Sequence, residues 1–244
     1  MCLACITRRG VLAASLAALA MPAHAEPTVE PRFRCTPSGG PQRRIALTLD
    51  ACNGGFDWRI ANALLTHQAQ ATIFATGDWL SANPVPLAFL RANPTLFRLE
   101  NHGEHHIPPV LGPGRLFGLP VAGTLQAVRR EVEQGAAAIH AATGTAPRWY
   151  RGATARYSPA ALAEIAGFGQ AIAAFSLNAD QGASLPANTV AARIATARDG
   201  EVVIAHINQP HRPSGAGIAQ AIAALTRQGA TWTSLDALHP QLAA

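Results

Sequence analysis

Gly200-Glu201-Val202-Val203-Ile204-Ala205-His206 is a short apolar run that opens after a glycine and ends on a histidine. Four consecutive apolar residues without polar alternation suit a strand covered on both faces, the kind that a parallel sheet requires. Its flanks agree, because helical patterns occupy residues 188–200 and 214–229. Working outward, further strand candidates fall at 45–49, 71–75, 97–100, 148–150, 170–174 and 230–232. The clearest helix between them starts at Thr124, a residue suited to N-capping. It puts Leu125, Val128, Val132, Ala136 and Ile139 on one face and stops at Gly144. Another opens with Ser158-Pro159 and ends at Gly167, and Asp57 is placed to cap a helix running to Leu65. Strands alternating with helices of this length predict an α/β fold of βα units, with about seven strands in a parallel sheet or a barrel.

Composition narrows the chemistry. The chain has 244 residues, 49% hydrophobic and 14% charged, enough to bury one sizeable core. Its 19 basic residues are all arginine, so Schiff-base catalysis and a lysine-bearing phosphate loop are excluded. The net charge of +5 is small and the arginines are scattered, which predicts no nucleic-acid partner.

Residues 1–25 read as a leader. Arg8-Arg9 precedes an apolar run from Val11 to Met21, and Ala23-His24-Ala25 provides a small-residue cleavage site. The run is too short to span a bilayer, and the paired arginines suggest twin-arginine export of a folded protein, with an ordinary secretory signal as the alternative. The expected location is therefore the periplasm or the outside of the cell. Residues 26–44, rich in Pro and Gly, read as an arm, followed by one domain over 45–244. Cys2 and Cys5 fall in the leader; Cys35 and Cys52 remain, either bonded to each other or as separate thiols.

The polar residues gather just after strands: Asp50, then His102, His105 and His106, then Arg151, Asp180 and His206. In a parallel α/β fold those positions share the end of the sheet where active sites form. His102 and His106 are four residues apart and, on a helical turn, would meet one metal ion, with His105 pointing away. Glu104 stands one place too late for the zinc-protease pattern. The Gly- and Pro-rich stretch 103–123 interrupts the alternation as a long, functional loop.

Together these residues resemble the polysaccharide deacetylases of carbohydrate esterase family 4, the NodB-homology group, over roughly Arg44 to Leu238. Leu47-Thr48-Leu49-Asp50 is similar to the family's T-F-D-D motif, whose first Asp is the catalytic base. Asn101-His102-Gly103-Glu104-His105-His106 resembles its H-[ST]-x-x-H metal motif, and Tyr150-Arg151-Gly152-Ala153 stands where R-x-P holds the base. Phe175-Ser176-Leu177-Asn178-Ala179-Asp180 resembles the segment whose Asp orients the catalytic His, and residues 200–206 resemble the motif that ends in the general acid. The second Asp of the first motif, a family metal ligand, is Ala51 here; the aromatic tail of the third motif and the Trp of the fourth are also missing.

The resemblance implies a NodB-like fold, a distorted (β/α) barrel with about seven parallel strands, and a hydrolase that removes N-acetyl or O-acetyl groups from a glycan. Asp50 would be the base, Arg151 its partner, His206 the acid and Asp180 the residue that orients it. His102 and His106 would hold a divalent metal, zinc first, with cobalt or nickel as alternatives. Asp50 or Asp57 would serve as third ligand, although Asp57 also suits a helix cap. Ile204, Asn208 and His211 are candidates for substrate contact. Ala51 keeps two rivals open: a relative that binds glycan without catalysis, and a metal-free hydrolase of another non-peptide C–N bond.

Overall fold

The computed structural model describes residues 26–34, 37 and 39–243. The expected leader, residues 1–25, and Cys35 lie outside the described residues. The main sheet comprises β1 (Arg44–Ala51), β2 (Ala71–Ala75), β3 (Phe97–Asn101), β4 (Trp149–Tyr150), β5 (Ala171–Ile172), β6 (Leu177–Asn178), β7 (Glu201–His206) and β8 (Thr231–Trp232). Their order is β5-β4-β3-β2-β1-β7-β6, with β8 added at the start of β1, and all the pairings are parallel. This is the curled half-barrel of the expected (β/α) type. Within this sheet, the strand the sequence did not predict is β6, two residues long and without any period to betray it.

Helices connect the strands: α1 (Trp58–Thr66), α2 (Gly77–Ala82), α3 (Pro84–Ala92), α4 (Leu125–Thr143), α5 (Pro159–Ala166), α6 (Ala187–Ala195), α7 (Ser214–Arg227) and α8 (Leu235–Leu238). Thr124 caps α4 through Ala127 N, 3.1 Å from its hydroxyl, and Gly144 ends it at φ 74°. Only glycine takes that left-handed turn at no cost.

Strand parity sorts β1 into two faces. Ile45, Leu47, Leu49 and Ala51 enter the apolar layer shared with Ile60, Leu64, Ile73 and Ile218 of the surrounding elements. Ala46 belongs instead to the barrel interior with Phe74, Phe175, Val202 and Ile204, and Thr48 and Asp50 bond to Arg151 on that same side.

The two edges of the sheet, β5 and β6, are consecutive in the chain and separated only by Ala173 to Ser176. Such a short link forces the sheet to curl until its edges nearly meet. Between them the carbonyls of Ala173 and Ala174 accept from Arg151 Nε and NH2, both at 3.1 Å. The Phe175 carbonyl accepts from Phe33 N at 3.1 Å. Buried carbonyls need partners, and here one side chain and the N-terminal arm provide them. The arm is thus packed rather than loose: Phe33 is buried, and Phe33–Arg34 pairs antiparallel with Gln241–Leu242.

Candidate active site

Register places the polar residues together. Asp50 pairs with His206 across β1 and β7, and Asn101, just before His102, pairs with Ala75 and Tyr150. Every one of these residues lies at the C-terminal end of its strand. A cavity of about 580 Å³ opens there, lined by Asp50, Cys52, His106, Phe117, Ile204 and His206 among others.

Arg151 is fully buried, and four acceptors surround its guanidinium. Besides the two seam carbonyls, NH1 donates to Asp50 Oδ1 at 2.7 Å and to Thr48 Oγ1 at 2.9 Å. The guanidinium also lies 4.3 Å from the centre of the Phe74 ring. Burial works to raise the Asp50 carboxyl, but Arg151, His102 and His206 outweigh it and hold it below the ordinary carboxylate range. Opposite, His206 Nδ1 sits 3.0 Å from Asp180 Oδ1, while Asp180 Oδ2 accepts the His206 backbone N–H at 2.8 Å. Burial alone would disfavour the imidazolium of His206; the Asp180 carboxylate reverses this and pushes it well above the usual histidine range.

His102 and His106 meet without a helix. The sequence spacing suggested a helical turn, whereas residues 102–106 form a loop with φ 88° at Gly103 and φ 60° at His106. Those two left-handed residues fold the segment back, bringing the imidazole centres to 4.9 Å. His102 Nδ1 lies 2.7 Å from the Arg151 carbonyl, to which it donates, so Nε2 is the ring nitrogen turned toward Cys52. His105 does point elsewhere, to Asp78 at 3.1 Å on the exposed side.

The loop hangs on α4. Glu131 Oε1 accepts the N–H groups of His105 at 3.0 Å and Ile107 at 3.1 Å. A side chain at Gly135 would collide with Asn101 Oδ1 and the Gly103 backbone. Sequence reasoning passed over Glu131, yet a signal existed: it lies three residues after Val128 and four before Gly135, on the helix's buried stripe.

Cys52 was also passed over as a site residue. It carries a free thiol, with Sγ 3.4 Å from His102 Nε2. The ligating atoms of Cys52, His102 and His106 all lie within 4.8 Å of one another. Burial would raise this thiol, but His102, aided by hydrogen bonds from His106 and His206, pulls it well below the usual thiol range. Asp57, by contrast, does not join the imidazoles. It caps α1 through Arg59 N at 3.0 Å and pairs with Arg59 NH2 at 2.6 Å. Asp50 Oδ2 stands 3.9 Å from His102 Nε2.

Of the substrate candidates, Ile204 lines the cavity. Asn208 is buried and donates to the Asn53 carbonyl, and His211 is exposed on the loop before α7, outside the cavity lining. Phe117 lines it too: 74% exposed, it tops the hairpin formed by Arg115–Leu116 and Leu119–Pro120.

Residues 38–173 match the family profile described as polysaccharide deacetylase. The chain belongs to the polysaccharide deacetylase family. Solved structures of similar fold include peptidoglycan deacetylase PdaC from Bacillus subtilis, at 19% identity over 81% of this chain and 90% of that one, with TM-score 0.65. Another is BA3943, a CE4 family pseudoenzyme from Bacillus anthracis, at 18% identity over 81% and 66% of the two chains, also with TM-score 0.65. A family 4 carbohydrate esterase from Streptomyces lividans, in complex with acetate, aligns at 19% identity over 78% and 91%, with TM-score 0.61. No curated protein matches the chain. Polysaccharide deacetylases generally use a divalent metal, and the Cys52-His102-His106 group gives this member a candidate ligand set. Among the described residues no helix is long and apolar enough to cross a membrane.

Proposed function

We propose that this polysaccharide deacetylase family member is an exported, metal-dependent hydrolase that removes N-acetyl, or O-acetyl, groups from a glycan. One observation carries the reading: an Arg-held carboxylate, Asp50, and an Asp-held imidazole, His206, occupy paired positions on adjacent strands beside two converging imidazoles. A site that merely binds glycan has no need of an acid and a base facing one cavity.

The donors suit zinc, since neutral imidazoles and a thiolate are its ordinary ligands. A divalent metal at His102 and His106 supplies, when bound, Lewis acidity toward the acetyl carbonyl and a water made acidic enough to give up its proton near neutrality. Asp50 accepts that proton on Oδ2, because Oδ1 is fixed by Arg151. His206 holds its Nδ1 proton against Asp180 and delivers the Nε2 proton to the departing amine, which leaves poorly as an anion. Ile204 and Phe117 offer apolar surface for the acetyl methyl and a sugar ring face. Export follows from residues 1–25 and is checked by the N-terminal sequence of secreted protein, expected to begin at Glu26.

Acetate release from N-acetylglucosamine oligomers and from peptidoglycan tests the reading. Asp50→Asn and His206→Ala should each lower kcat by ~10²–10⁴-fold while leaving the fold intact. Glycan binding without acetate release by wild type would place the chain with the non-catalytic relatives that Ala51 brings to mind.

A further inference from the structure

Resting on the metal-dependent reading above, we propose that Cys52 is the third protein ligand of the metal, a thiolate standing in for the carboxylate that residue 51 does not supply. The parity of β1 decides which residue can do this. Ala51 is fully buried in the layer between sheet and helices, whereas Asp50 faces the barrel interior; residue 52 is the next to turn inward. Cys52 accordingly lines the catalytic cavity and approaches His102.

The spacing fits. With Zn–S near 2.3 Å and Zn–N near 2.0 Å, tetrahedral coordination separates sulfur from nitrogen by about 3.5 Å; Cys52 Sγ and His102 Nε2 are 3.4 Å apart. A simple thiol–imidazole hydrogen bond satisfies that distance as well. It leaves unexplained why His106, at a left-handed φ of 60°, is folded back onto the same two atoms. The His102 ring is already anchored by its Nδ1 at the Arg151 carbonyl, the arrangement that orients a ligating imidazole.

Two imidazoles and one thiolate leave the fourth tetrahedral position for water or substrate, as catalysis requires. The thiolate also supplies the negative charge that a family carboxylate would bring. Its softness moves preference toward zinc and cobalt and away from magnesium and manganese.

Cobalt substitution tests the assignment on the full chain. Metal-stripped protein titrated with cobalt(II) should develop a near-ultraviolet thiolate-to-cobalt band together with visible ligand-field bands. Cys52→Ser should lose the near-ultraviolet band and weaken zinc beyond the ~10–100-fold that loss of a supporting contact costs. Cys52→Asp should keep the visible bands without the near-ultraviolet one. Wild-type protein needs no variant in a second measurement: zinc should slow alkylation of the Cys52 peptide, and chelation should restore it. Visible bands without a thiolate band, or alkylation indifferent to zinc, would overturn the ligand assignment and leave the metal-dependent reading standing. No binding of cobalt or zinc by either wild type or Cys52→Asp would overturn both.

Discussion

A carboxylate introduced at residue 51 would not reach the imidazoles, although the family pattern places one there. It would enter the apolar layer that holds Leu47, Leu49 and Ile73, where Ala51 has no exposed surface. Ala51→Asp is therefore expected to cost on the order of 3–5 kcal/mol, as an unpaired buried charge does. Denaturant midpoints should show that loss with no gain in zinc affinity; a tighter zinc site would sink the parity argument. The Asp180–His206 pair supports a second expectation. Burial disfavours the imidazolium, and Asp180 is what overcomes it. The raised acid remains protonated up to its elevated range, and activity falls as pH rises through it. Asp180→Asn should lower kcat and shift the alkaline limb of the pH profile downward, whereas a purely structural Asp180 would leave the limb in place.

At the scale of elements, α4 and the loop 102–107 behave as one piece. Glu131 bonds two backbone N–H groups on either side of His106. Glu131→Ala should weaken zinc binding by ~10–100-fold, the usual cost of removing an outer support, while Glu131→Gln keeps an acceptor and most of the affinity. Equal affinities in all three proteins would show that the loop holds itself. This pairing also explains what the sequence could and could not disclose. Apolar runs such as Val202–Ala205 announced their strands, and Asp50, Arg151 and His206 stood out because each directly follows a predicted strand, with Asp180 a few residues beyond another. The four-residue spacing of the imidazoles and a loop from residue 103 were legible, but not the loop's conformation: two left-handed residues achieve what a helical turn would have done. Cys52 escaped notice because its meaning depends on which face of β1 each residue takes. One residue of register decides that, and a mostly apolar strand does not display it.

For the molecule as a whole, closure of the barrel is the organising fact. The arm reaches the seam through Phe33, whose ring meets Trp149 edge-on at 6.1 Å and packs among the interior residues. Phe33→Ala should destabilise the protein by ~3–5 kcal/mol, in line with loss of a buried aromatic ring. Thermal and denaturant unfolding check this, and a near-neutral result would mean the arm is an ornament. The seam carries one consequence for how relatives of this chain are to be sorted. Arg151 is bonded to two carbonyls of the seam as well as to Asp50. A lineage that abandoned hydrolysis would still need its guanidinium to keep the barrel shut. Persistence of this arginine would therefore be a mark of architecture and not of activity.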